Sequence, residues 1–215
     1  MAERNSRDRI LNRIKEALKQ PSSRPYPDLA ELPANEQFTG NKDEDLAVIF
    51  AEEFTRLGGH FIYCMNMREV VQNLETMGKS AHWDRWYCRQ PKWKEQLERN
   101  GFKNTWWPDL PESVVAVTGC ECLVARTGSM FLTTNSSGGR ATSVYAPVHV
   151  CIAYANQLVF DISDGIDLLQ QKYGSKLPPS ITLASGPSRT ADIEKTLVTG
   201  VHGPKEVFCF LVEQE

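Results

Sequence analysis

The chain has 215 residues, and 24 Lys and Arg against 27 Asp and Glu leave a net charge of −3. That length fits one domain, or one domain with an extra arm, and buries a substantial core without staples. The near balance of charge excludes a broad electrostatic footprint for nucleic acid or an anionic membrane and leaves room only for a local basic site.

The opening run MAERNSRDRI puts charges where a secretory signal needs an apolar core, so the expected compartment is the cytoplasm. Ser6 is placed to cap a helix with the stripe Ile10, Leu11, Ile14, Ala17 and Leu18, ending at Gln20 because Pro21 follows. Pro21, Pro25, Pro27 and Pro33 make residues 21–40 extended and irregular, so residues 1–41 read as an arm on a main domain of 42–215. The stripe has to be buried on its own domain, on a second copy or on another partner, and the second option would make the arm a route to a homo-oligomer.

From residue 42 helical and β-like segments alternate. KDEDLAVIFAEEFTRLGG places Leu46, Ile49, Phe50, Phe54 and Leu57 on one face and ends at Gly58-Gly59. HFIYCM reads as a strand. Asn66 and Glu69 have capping-box spacing before a helix carrying Val70, Val71, Leu74 and Met77, and Pro91 opens another helix that Gly101 closes. The second half supplies the strands SVVAVTG, CLVAR, SMFLTT, VHVCIAY, LVF, ITLAS and EVFCFLV. Helices are predicted at 164–173, capped by Ser163 or Asp164, and at about 190–199. Residues 141–160 contain no charged side chain, yet Pro147, His149, Asn156 and Gln157 argue against a membrane span and for two buried strands joined by a turn. The pattern predicts an α/β domain with a mostly parallel sheet covered on both faces, made mixed by antiparallel hairpins at 122–134 and 148–160.

The six cysteines, Cys64, Cys88, Cys120, Cys122, Cys151 and Cys209, match neither zinc nor iron–sulfur spacing, so no metal or cluster is expected on this chain. Cys64, Cys151 and Cys209 sit in apolar runs as small hydrophobes. The sequence has no GxGxxG fingerprint, no GxxxxGK[ST] phosphate loop and no GxSxG elbow. Five tryptophans between 83 and 107 read as core or a partner-facing patch ahead of a nucleic-acid stacking surface.

Three stretches could carry chemistry. In SGPSRTADIEKTLVTGVHGP, Gly186-Pro187-Ser188 turns the chain, and Ser188 or Thr190 caps the predicted helix. Its free N–H groups together with Arg189 suit a phosphate or carboxylate. Asp192 and Glu194 fall on different sides of that helix, and His202 beside Gly203 lies in a tight loop where an acid or base could act. In ARTGSM, Thr127, Gly128 and Ser129 form a turn able to present N–H and hydroxyl groups to an anion. Arg140 and His149 flank PVHV; His149 and His202 as a metal pair would be weak evidence for a site. Each of these also reads as an ordinary turn, a salt bridge or a hydrogen-bonded strand end.

TGCECLVARTGSMFL, GGR, PVHV, SGPSRTADIEKTLVTGVHGP and the final strand together resemble the LUD-domain family of lactate-utilisation proteins, the protein C type, over roughly residues 42–215. The resemblance implies a role in oxidising L-lactate to pyruvate with two iron–sulfur partner proteins, the clusters being held by those partners and not by this chain. It also implies a three-layer α/β/α fold similar to the sugar-phosphate isomerase and CoA-transferase superfamily. In such folds the turns would bring Thr127, Gly128, Ser129, Arg140, His149, Arg189, Thr190, Asp192, Glu194, His202 and Gly203 to one pocket for a small anion. One departure stands out: the related sequences usually carry Glu just before the Thr-Gly turn, where this chain has Arg126, and arginine cannot form an acyl anhydride. The expected function is an accessory protein or subunit. The alternatives are a stand-alone enzyme on a phosphate- or carboxylate-bearing molecule and a binding module without chemistry.

Overall fold

The computed structural model describes residues 2–19, 45–193 and 196–213, and the side chains of 2–6 and 191–197 lie outside the description. The chain divides into two units, residues 1–40 and 41–215. The first contains helix α1 (Ala2–Leu18), which starts before Ser6 because Ala2, Glu3 and Arg4 are themselves good helix formers; Ser6 is therefore inside the helix and not its cap. The Pro-rich stretch expected to be extended lies outside the described residues.

The second unit runs, in order, α2 (Leu46–Arg56), β1 (His60–Cys64), α3 (Met67–Ser80), β2 (Trp86–Tyr87), α4 (Pro91–Arg99), β3 (Val115–Gly119), β4 (Cys122–Val124), β5 (Ser129–Thr133), α5 (Thr142–Tyr145), β6 (Val148–Tyr154), β7 (Leu158–Val159), α6 (Ile162–Tyr173), β8 (Ile181–Ala184), β9 (Arg189–Ile193), β10 (Thr196–Thr199) and β11 (Glu206–Val212). Five strands form a wholly parallel sheet in the order β1-β11-β6-β3-β2. The antiparallel content is segregated into a four-stranded sheet, β7-β4-β5-β8, and a two-stranded hairpin, β9-β10.

Alternation along the central strands decides the layers. Val148, Val150, Ile152 and Tyr154 of β6 and Phe208, Phe210 and Val212 of β11 pack with Val70, Leu74, Trp93 and Leu97 from α3 and α4. Cys151, Ala153, Cys209 and Leu211 face the other way, onto Phe50 and Phe54 of α2 and Leu123, Met130 and Leu132 of the small sheet. Leu169 of α6 closes the outer face of that sheet against Cys122, Val124 and Phe131. The fold is thus a three-layer α/β/α arrangement around a mostly parallel sheet, with the small sheet sharing one covering layer. Trp83, Trp86 and Trp93 are buried in the core, Trp86 edge-on to Trp83 and Phe102, so three of the five tryptophans build the core, while Trp106 and Trp107 are half-buried. All six cysteines are free and buried.

Several local expectations are corrected. The described residues of 190–199 form no helix: β9 and β10 pair antiparallel, Val198 opposite Thr190 and Thr199 opposite Arg189, and the β-branched Thr190, Ile193, Thr196, Val198 and Thr199 favour that outcome. The hairpin at 122–134 forms, but the one at 148–160 does not. β6 is buried over all seven residues and takes parallel neighbours on both sides, while β7 crosses to pair parallel with β4. A turn at Ala155–Gln157, held by Tyr154 N–H donating to Gln157 Oε1 at 2.8 Å, makes the change of sheet. Helix α6 is capped by Asp161 and not by Ser163 or Asp164; Asp164 Oδ2 accepts from Asp161 N–H at 2.9 Å to complete the capping box.

Candidate functional site

Parallel strands deliver their ligands at their carboxyl ends. There β3 stops at Gly119 and the chain passes through Cys120 and Glu121 into β4. Glu121 is the one acidic side chain in an otherwise apolar run, and only 1% of its side chain is exposed. Burying a carboxylate is costly unless it is fully hydrogen-bonded, and here three donors meet it. Thr133 Oγ1 and Tyr173 OH donate to Oε1 at 2.5 and 2.8 Å, and Lys172 Nζ donates to Oε2 at 2.8 Å. Burial pushes the Glu121 carboxyl up, but the Lys172, Thr133 and Tyr173 hydrogen bonds outweigh it and hold it below the ordinary carboxylate range. The same bond to Glu121 raises Lys172, so the pair is ionised at neutral pH.

Beside this pair opens a cleft of about 360 Å³, with Gln90, Lys92, Trp93, Asn135, Asn156 and Lys172 among its walls. Its frame is fixed. Gln157 Nε2 donates to the Cys120 carbonyl at 2.8 Å, and Gln90 Nε2 donates to the Asn135 carbonyl at 2.6 Å. A Cβ on Gly119 would lie 2.5 Å from Trp93 Nε1, so only glycine lets the indole close the floor. Hydrogen bonding to Cys151 and burial push the Cys120 thiol well up, so the floor presents a thiol and no thiolate. Lys172 gives Glu121 one of its three N–H donors and keeps a half-exposed ammonium at the cleft. Lys92 Nζ stands 5.7 Å from the ring centres of both Trp93 and Tyr154. The half-exposed Lys172 ammonium, with Lys92 also lining the cleft, suits it to one small anion. Glu121, with both oxygens engaged, is a poor nucleophile.

Most of the sequence-derived site residues lie at the opposite edge, where the parallel strands begin. Ser129 and Ser185 share a hydroxyl–hydroxyl hydrogen bond of 2.6 Å. Gly128, at φ +54°, lets α2 approach so closely that a Cβ would lie 2.4 Å from the Phe54 nitrogen. Arg189 donates to the Leu57 carbonyl just past α2, a cation at a helix C-terminus. Ser188 N–H donates to the Pro204 carbonyl at 3.0 Å, which sets the 185–190 turn beside Gly203, and His202 is exposed in that loop. Gly128 and Arg189 therefore meet α2 and its end, with Thr127 and Ser129 flanking Gly128 and Thr190 following Arg189, while Gly203 sits beside Ser188 and His202 in the neighbouring loop; no helix start faces an anion there, because the expected helix is a hairpin. Arg140 is exposed in the loop between β5 and α5. His149 is buried in β6 with Nε2 2.8 Å from Thr118 Oγ1, and burial pushes its pKa down, so it is a neutral core histidine. Asp192 lies in β9, its side chain and all of Glu194 falling outside the description. Arg126, the departure from the related sequences, is engaged: Nη2 meets Asp161 Oδ1 at 2.6 Å, tying the ARTGSM turn to the cap of α6.

Glu121, Lys172 and Tyr173 were not singled out by sequence reasoning. The available signal was a carboxylate inside a run whose apolar neighbours require burial, hence a partner. Among the described residues no group of three or more His, Cys, Asp and Glu side chains is arranged to hold a metal, and no helix is long and apolar enough to cross a membrane.

A parallel-sheet α/β fold with a polar cleft at its carboxyl edge defines the class. Residues 109–212 match the LUD domain. It is 30% identical over 105 residues to lactate utilization protein C of Deinococcus radiodurans, covering 48% of this chain and 49% of that protein. It is 31% identical over 124 residues to lactate utilization protein C of Bacillus velezensis, covering 57% and 50%. An uncharacterized protein of Neisseria meningitidis is 30% identical over 105 residues, covering 48% and 45%. The chain spans about half the length of the curated relatives it matches. The crystal structure of a DUF162 family protein from Deinococcus radiodurans superposes with a TM-score of 0.53 at 16% identity, covering 78% of this chain and 96% of that one, which shows the shared fold.

Proposed function

We propose that this protein serves in lactate utilisation as an accessory protein or subunit of a cytoplasmic system oxidising L-lactate to pyruvate, its partners carrying the iron–sulfur clusters. In this reading the Glu121 cleft holds a small carboxylate such as lactate or pyruvate. The observation that carries the ligand assignment is the pairing of Glu121 with Lys172, which settles the buried charge internally and turns an ammonium toward a rigid, polar cleft. The names of the relatives support the pathway. The account gives this chain no electron-transfer step; binding and presentation of the acid suffice.

Gentle purification of the full chain from cells grown on L-lactate, with mass spectrometry and iron analysis, tests the role. Co-purification of iron–sulfur proteins is the expected result. An iron-free chain that comes alone under the same conditions contradicts the subunit reading and moves attention to a stand-alone activity on small anions.

A further inference from the structure

Helix α1 presents Ile10, Leu11, Ile14 and Leu18, between 41 and 77% exposed. At about 100° per residue these four fall on one stripe. Arg13 and Lys15 border the stripe on its two sides, Arg7 prolongs it by a turn, and Glu16 lies on the back. A helix of this length gains little stability from its own backbone, so an apolar strip framed by cations needs a receiving surface.

The 41–215 unit carries a surface of matching chemistry. A groove of about 700 Å³ is lined by Leu46, Val48, Phe61, Leu158 and Leu211, between α2 and the carboxyl ends of β1 and β11. Its charged residues are Asp45, Glu52 and Glu213, and no Lys or Arg lines it. Apolar lining with an acidic rim complements an apolar strip with cationic borders.

We propose that the groove receives the α1 helix of a second copy of this chain, the two copies exchanging helices in a reciprocal dimer. Closed two-fold exchange satisfies both apolar surfaces at once, and the charges fix the helix in register. The groove shares a wall with the Glu121 cleft: Ala155 and Leu158 line the groove, and Asn156 and Gln157 line the cleft, so the seated helix braces the turn that frames the candidate ligand site. The docking itself stands independently of the proposed role in lactate oxidation.

Sedimentation equilibrium of the full chain, from about 1 to about 200 μM, reads the association directly. A dimer is expected, with Ile14→Asp and Val48→Lys each weakening it about tenfold or more. Both positions are exposed, and circular dichroism verifies that the variants fold. Mixing the two weakened variants restores association, because one keeps an intact groove and the other an intact helix. Glu52→Lys weakens the dimer, and Lys15→Glu in the same chain recovers it. A monomer at every concentration, a dimer indifferent to both substitutions, or a mixture no more associated than its components would each overturn the proposal.

Discussion

Glu121 and Lys172 stand 2.8 Å apart across the boundary between a closed core and an open cleft, the carboxylate 1% exposed and the lysine side chain 56% exposed. The pair therefore has one end that cannot tolerate an unmet charge and one end that can address a ligand. Replacing Lys172 with Met leaves Glu121 with only Thr133 and Tyr173, which is expected to cost about 1–3 kcal/mol in urea unfolding at pH 7. Glu121→Gln keeps the size but loses the ion pair and should cost less than Glu121→Ala, which also leaves Thr133 and Tyr173 without their acceptor.

Stability should fall from neutral pH in two stages. His149 is buried neutral with its pKa lowered, so below about 6.5 the unfolded chain binds a proton that the native chain refuses, and stability declines as pH drops. Glu121 is also lowered; its contribution is complete above the unfolded value of about 4.3 and is lost as pH falls through the native value. Chemical denaturation across pH checks both: His149→Leu flattens the upper slope and Glu121→Gln the lower, each leaving the other in place.

Gly128 and Gly101 share positive φ, +54° and +99°, but differ in surroundings. A Cβ on Gly128 would strike the α2 backbone, whereas one on Gly101 meets nothing within 4 Å. Gly128→Ala should therefore cost roughly 2–5 kcal/mol, combining backbone strain with displacement of the helix, and Gly101→Ala only about 1–2 kcal/mol. Thermal unfolding separates the two by several degrees.

Arg189 donates to the Leu57 carbonyl from an exposed position. Arg189→Ala should lower stability by about 1 kcal/mol or less and leave carboxylate binding at the Glu121 cleft unchanged. A titration of the variant with pyruvate followed by heteronuclear NMR measures the second quantity.

The sequence was most legible where one periodicity held over a whole element. Leu46, Phe50 and Phe54 on α2, the Asn66 cap of α3, and the continuous apolar runs of β6 and β11 all read directly as local structure. Residues 190–199 misled because Gly-Pro-Ser followed by mixed charges resembles a helix start, while the preference of Thr190, Thr196, Val198 and Thr199 for pairing decided the outcome. The crossing of β7 to another sheet follows a turn in which Gln157 folds back on Tyr154, and has no periodic signature. The cleft was illegible for a related reason: Glu121, Lys172 and Gln90 are far apart in the chain, and only the topology that places the end of β3, the end of α6 and the start of α4 side by side brings them together.

The most direct measurement is calorimetric titration of the folded chain with L-lactate and with pyruvate at pH 7, repeated on Lys172→Met, Lys92→Met and Arg189→Ala. The account predicts saturable binding of one carboxylate per chain, weakened about tenfold by each lysine substitution and unchanged by loss of Arg189. Binding that survives both lysine substitutions but is lost with Arg189 would contradict it and place the anion at the opposite edge of the sheet.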